Sequence, residues 1–160
     1  MADSFRDAFR GIWDCIKTER NMRVHTVMCV YVIFFASFLG LTRGEFACLL
    51  LSIGSVMTAE TLNTSLEKLC DFTQKSTNRL IRVIKDMAAG AVLICALFAA
   101  GVGVVVLCRP ELLVFLRFLV QTPLYLGLFL LSLLAALVYV FAGPVRIAES
   151  ARRLFGKHGE

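Results

Sequence analysis

The chain has 160 residues, of which 58% are hydrophobic, with a mean hydropathy of +0.76 and a formal net charge of +5. An apolar share above the ~45–50% of soluble domains, gathered into long unbroken runs, excludes a water-soluble globule and calls for lipid around the chain. The length fits one domain, and the positive charge is explained by membrane topology without any nucleic acid.

Residues 1–25 carry Arg6, Arg10, Lys17, Arg20 and Arg23, with no apolar stretch and cleavage site directly behind them, so they do not read as a secretory signal. Phe5, Phe9, Ile12, Trp13 and Ile16 recur between the charges at helical spacing. This predicts an amphipathic helix on the membrane surface, its arginines toward anionic headgroups. The first apolar run covers 26–41 and is closed by Thr42-Arg43-Gly44-Glu45. The second begins at Phe46 and continues to about residue 66, and the third covers 87–108, closed by Arg109-Pro110-Glu111. The last run is interrupted: 112–120 contains Arg117, Gln121-Thr122-Pro123 breaks it, and 124–142 follows without a charge.

A spanning helix needs ~20 residues. The third and last runs satisfy this, the first is short and either tilts little or begins nearer Met22, and the piece before Pro123 reads as a short interfacial or loop helix. The expected fold is therefore all-α and integral to the membrane, an N-terminal amphipathic surface helix followed by four transmembrane helices. Four crossings put both termini on one side. That side holds five Lys/Arg in 1–25, five in the polar segment 68–86 and four in the tail, against Arg43, Arg109 and Arg117 opposite. The asymmetry predicts that the termini and segment 68–86 are cytoplasmic. Glu45 and Glu111 read as outer loop charges without a partner cluster. The cysteines at 15, 29, 48, 70, 95 and 108 lack metal-ligand spacing and read as small hydrophobes. Small residues at 99–103 suit helix–helix packing.

Chemistry concentrates at the cytoplasmic end of the second run. Glu60, Asn63, Thr64, Glu67 and Asp71 stand at i, i+3, i+4, i+7 and i+11, which places all five on one narrow helical face, opposite Leu62, Leu66 and Leu69. Carboxylates within a membrane helix are costly and face a partner or a watery cavity. Glu60 and Glu67 are separated by ~10 Å of helical rise, which suits a division of labour. One carboxylate can hold a hard cation and the other can take a proton from a nucleophile. Asn63 can hydrogen-bond between them. On the same side lie Glu19-Arg20-Asn21-Met22-Arg23 and Lys85-Asp86, the latter followed by small residues including Ala89 that let another backbone or a lipid chain approach. Carboxylates for a cation and an ammonium for phosphate are what phosphoryl transfer requires. There is no P-loop, and Gly101-Val102-Gly103 lies in an apolar helix without the rest of a dinucleotide fingerprint.

These residues resemble those of the bacterial diacylglycerol kinase and undecaprenol kinase family of small membrane kinases. The resemblance runs from about Ser4 to Leu107. It is carried by Ser4-Phe5 with Gly11, by 19–25 (Glu-Arg-Asn-Met-Arg-Val-His), by 59–67 (Ala-Glu-Thr-Leu-Asn-Thr-Ser-Leu-Glu) with Asp71, and by 85–93 (Lys-Asp-Met-Ala-Ala-Gly-Ala-Val-Leu). It implies a homotrimer in the bacterial inner membrane with shared active sites, using ATP and Mg²⁺ to phosphorylate a membrane lipid alcohol. It further implies Glu60 as the general base beside the lipid, Asn63 as an arranger of the site, and Glu19 and Glu67 as holders of Mg²⁺ on the nucleotide. Lys85 would contact phosphate, Asp86 would hold the nucleotide, and Ser76, Thr77 and Asn78 would lie near it. Ala89 would border the lipid. The blocks at 19–25 and 88–92 look more like the undecaprenol kinase branch, which implies a polyprenol acceptor, with diacylglycerol as the alternative.

Two departures stand out. A histidine common in the family's cytoplasmic loop is Asn78 here, and residues 109–160, with the fourth span and a basic tail, exceed the usual three-span core expected over 1–108. Two other classes compete: a non-catalytic membrane scaffold, and a small proton-coupled transporter with Glu60 as carrier. The intact Glu19, Glu60, Asn63, Glu67 and Lys85 set argues against the first. The second would want acidic residues at the bilayer midplane, whereas the polar stripe leads out to the boundary.

Overall fold

The structure is a computed structural model and describes residues 2–73 and 78–155. The described residues form six helices and no strand: α1 (Ala2–Thr18), α2 (Arg20–Phe38), α3 (Arg43–Thr73), α4 (Arg79–Leu107), α5 (Pro110–Gln121) and α6 (Pro123–Phe155). Four stretches, α2, α3, α4 and Pro123–Ser150 of α6, are long and apolar enough to cross a membrane. The chain is an all-α, multi-pass integral membrane protein.

The helices run further than the apolar runs that mark them. α2 begins at Arg20, and α3 continues through the polar stripe to Thr73. Most of the polar segment 68–86 is therefore helix. α4 is opened by Asn78, whose Oδ1 accepts from Leu80 N–H at 2.9 Å, satisfying one of the orphan donors of a helix start. The residues singled out on α3 and α4 consequently stand on regular helix, where their spacing is fixed.

Two compact units divide the chain: Met1–Val27 with Arg117–Glu160, and Met28–Leu116. In the first unit α1 packs on α6. Phe5, Phe9, Ile12 and Trp13 are exposed on α1, while Asp3–Arg6, Asp7–Arg10 and Asp14–Lys17 pair at i,i+3. Exposed pairs of this kind stabilise little, so the apolar face, suited to the lipid interface, governs where α1 lies. Glu19 is the single non-helical residue between α1 and α2, with its N–H donating to Cys15 O at 2.8 Å. α6 breaks at Gly143, whose φ of 75° is strained for any side chain, immediately before Pro144.

The second unit holds α3 and α4 side by side. Ala36, Leu49 and Val106 form its buried apolar cluster, flanked by Val32, Leu41, Val102 and Leu107. Phe34, Phe35 and Phe38 meet Phe115 in edge-on and stacked contacts. Glu45 departs from the expectation of an unpartnered loop charge. Thr42 N–H donates to Glu45 Oε2 at 2.8 Å and Glu45 N–H donates back to Thr42 Oγ1 at 3.3 Å, a capping box that opens α3. Arg109 also donates to Glu45. The physical reason is the Thr-x-x-Glu spacing, which offers the first turn of α3 its missing partners.

Candidate active site

The polar stripe of α3 faces inward. Glu60, Asn63 and Thr64 are 2%, 8% and 4% exposed, whereas Leu62, Leu66 and Leu69 on the other side are exposed. Glu67 is half-buried and Asp71 exposed. Lipid imposes this arrangement, since apolar side chains cost nothing there and polar ones must find partners away from it. Along about three turns the stripe passes from a buried carboxylate to an exposed one, a graded path from the membrane-embedded part of α3 to its polar end.

Asn63 Nδ2 donates to Glu67 Oε1 at 3.0 Å. A carboxylate only accepts, so the amide must turn its NH₂ toward Glu67, and this fixes the amide orientation. Asn63 Oδ1 is then buried without a hydrogen-bond partner among the described residues. Such an orphan costs about 1–3 kcal/mol and calls for an explanation, such as a ligand that supplies the partner. Thr64 is buried beside it and Glu60 lies one turn deeper.

α4 brings a cation to the outer end of the stripe. Lys85 Nζ donates to Asp71 Oδ1 at 2.5 Å, joining α3 to α4. The ammonium keeps further donors for an anion. Asp86 and Ala89 are exposed, and Ala88 is buried. Asn78 is placed on the edge of this region, but its carbonyl oxygen serves the α4 cap. Ser76 and Thr77 lie outside the described residues. Glu19 belongs to the other unit, half-buried at the α1–α2 corner.

Among the described residues no three His, Cys, Asp or Glu side chains come together as a metal site. Mg²⁺ does not need such a cage, because it is commonly held by one or two carboxylates together with substrate phosphates. The orphaned Asn63 Oδ1 beside Glu67 is an all-oxygen donor pair, and it fits a hard cation in that mode.

Arg23 is the residue whose part sequence reasoning missed. It sits in a basic segment and reads there as a topology charge, yet it is 8% exposed and donates through Nε and Nη1 to three backbone carbonyls. The Gly143-Pro144 pair was the available signal, because a proline inside a helix leaves a carbonyl in want of a donor.

The family described as "Prokaryotic diacylglycerol kinase" matches residues 6–107. The chain is 44% identical over 110 residues to "Diacylglycerol kinase" of Synechocystis sp. (strain ATCC 27184 / PCC 6803 / Kazusa), covering 68% of this chain and 63% of the relative. It is 33% identical over 103 residues to "Undecaprenol kinase" of Bacillus subtilis (strain 168), covering 64% of this chain and 84% of the relative. The match thus spans less than two thirds of the Synechocystis protein's length. No solved structure matches the chain.

Proposed function

This chain belongs to the prokaryotic diacylglycerol kinase family, and from that premise we propose that it is a lipid kinase, transferring the γ-phosphoryl group of ATP to the hydroxyl of a membrane lipid. The observation that carries the reading is the inward polar stripe of α3, with Glu60 buried at its membrane-embedded end and Glu67 and Asp71 at its open end.

The stripe divides the reaction between its two ends. A lipid hydroxyl entering from the bilayer reaches Glu60, whose carboxylate takes its proton. The alcohol oxygen forms a bond to the γ-phosphorus, the bond from phosphorus to the β–γ bridging oxygen breaks, and ADP leaves with that oxygen. Lys85, held by Asp71, presents its ammonium to the phosphates, and Asp86 holds the nucleotide. Glu67 and Asn63 Oδ1 would hold Mg²⁺, and the hydrogen bond from Asn63 Nδ2 would fix the Glu67 carboxylate for that task. The ion, when bound, neutralises charge on the phosphates. Glu19 is assigned to Mg²⁺ binding by resemblance. Positioning and charge neutralisation account for most of the rate in such transfers.

The acceptor we favour is a polyprenol. The blocks at 19–25 and 88–92 support it, and the Bacillus relative named undecaprenol kinase is consistent with it. Diacylglycerol is the second reading, favoured by the printed name of the Synechocystis relative. Residues 1–108 form the kinase core in this account, 109–160 add a span and a basic tail, and the family match ending at 107 supports that division. The charge asymmetry supports cytoplasmic termini in a bacterial inner membrane. A homotrimer with shared sites follows from the resemblance. The test is phosphate transfer from labelled ATP to undecaprenol and to diacylglycerol in mixed micelles. Preference for undecaprenol supports the first reading, preference for diacylglycerol the second, and transfer to no lipid alcohol removes both.

A further inference from the structure

Pro144 has no N–H, so the carbonyl of Val140, four residues earlier on α6, has no helical donor. Arg23 supplies one: its Nε donates to Val140 O at 2.9 Å. The same guanidinium donates through Nη1 to Ile16 O at 3.1 Å and Lys17 O at 3.0 Å, carbonyls in the last turn of α1. One planar group thus satisfies orphan carbonyls on two helices that are far apart in sequence. Gly143 is the third part of the arrangement. A Cβ there would stand 3.4 Å from Arg23 Nη1, on a backbone of positive φ that side chains rarely adopt. Arg20 adds a cation over the Phe141 ring at 5.9 Å. All of this meets at the corner that carries Glu19, where Arg23 N–H also donates to Glu19 O at 3.4 Å.

We propose that the Gly143-Pro144 break of α6 and the Arg23 guanidinium form a clamp that sets the position of Glu19, so that the fourth span, which lies beyond the family match, governs Mg–ATP binding. The proposal rests on the kinase reading for the role of Glu19, while the clamp itself is a feature of one compact unit. Arg23 is a positioning residue: its Nε and Nη1 donate to backbone carbonyls of α6 and α1. The break in α6 frees an acceptor, the arginine fills it, and the fork geometry then holds the end of α1. A lysine at 23 has no such fork and cannot serve both helices in the same geometry.

The test uses the full-length chain in mixed micelles, with Arg23→Lys, Gly143→Leu, the double variant and Pro144→Ala. Pro144→Ala restores the N–H that a continuous α6 would aim at Val140 O and so favours closing the break, and it serves if Gly143→Leu does not fold. Two readouts are taken: steady-state kinetics, and the maleimide labelling rate of Cys15, which is 2% exposed and whose carbonyl accepts from Glu19 N–H. Each single variant is expected to raise the KM for Mg–ATP about tenfold, equivalent to about 1.4 kcal/mol, with kcat and the lipid KM within about twofold. The double variant should be no worse than Arg23→Lys alone, since both changes act on one contact. Cys15 labelling should rise in parallel. A wild-type Mg–ATP KM in both Gly143→Leu and Pro144→Ala would overturn the proposal, as would additive effects in the double variant or an equal rise in the lipid KM. If the wild-type chain phosphorylates no lipid, the kinase reading fails by itself. Cys15 labelling then decides the clamp: faster labelling in the variants sustains it, and unchanged labelling overturns it.

Discussion

Replacing Asn63 by leucine should separate stability from activity. Two energies oppose each other at this side chain. Its Nδ2 donates to the Glu67 carboxylate at 3.0 Å, a hydrogen bond to a charged group that contributes about 1.5–3 kcal/mol. Its Oδ1 is buried without a partner, which costs about 1–3 kcal/mol. Leucine is close in volume, loses the first term and relieves the second. The net change in unfolding free energy should fall within about 1 kcal/mol of zero. Turnover should behave differently, because the proposed Mg–ATP end of the site loses both an oxygen donor and the group that orients Glu67. A fall of about 100-fold or more in kcat/KM for Mg–ATP is expected, the size of loss seen when one preorganised polar group is removed from a site. The assays are reversible denaturation in mixed micelles and steady-state kinetics at saturating lipid. A stability loss above about 3 kcal/mol would mean that Asn63 is a structural hydrogen-bonding residue whose carbonyl is satisfied in the folded chain. Near wild-type turnover would remove it from the site.

Other positions give sharper separations. Glu67→Gln keeps an acceptor for Asn63 but loses the charge for the cation. It should raise the KM for Mg–ATP by about tenfold or more and leave the KM for lipid unchanged, as read from kinetics at varied Mg–ATP. Lys85→Met should likewise weaken Mg–ATP and not lipid, and should free Asp71 from its 2.5 Å contact, checked by nucleotide titration. Leu49→Ala removes a side chain that is 3% exposed from the Ala36–Val106 cluster, away from the stripe. It should cost about 2–5 kcal/mol of stability by denaturation, with kcat near wild-type at a temperature where the variant stays folded.

Much of this was legible before the structure. The four spans and the amphipathic α1 follow from apolar run length and helical spacing, and the i, i+3, i+4, i+7 spacing of the stripe required one helix face. Burial agrees: Glu60, Asn63 and Thr64 are inside, and Leu62, Leu66 and Leu69 are outside. The orphaned Asn63 oxygen was not legible, because which end of an amide is spent depends on a contact geometry that composition does not carry. Glu45 was misread as an isolated charge. Its Thr-x-x-Glu spacing is a capping signature, but Arg109, which completes the pair, is 64 residues away. Arg23 was hidden for the same reason. Its acceptor on α6 lies 117 residues further along the chain, and a lone arginine in a basic segment looks like any other topology charge. Local periodicity is readable from a sequence, whereas pairings between distant backbone groups are decided by packing.

The central claim is that the buried carboxylate of Glu60 takes the proton from the lipid hydroxyl. The most direct measurement compares wild type with Glu60→Gln, following labelled phosphate onto undecaprenol and onto diacylglycerol, with Mg–ATP binding measured on the same preparations. Glutamine keeps the shape of the side chain and cannot act as a carboxylate base. Wild type should transfer phosphate, Glu60→Gln should lose about 1,000-fold or more, within the range of general-base contributions, and Mg–ATP binding should stay largely intact. Transfer by Glu60→Gln within about tenfold of wild type would contradict this role of Glu60, since a loss that small falls below what a general base contributes.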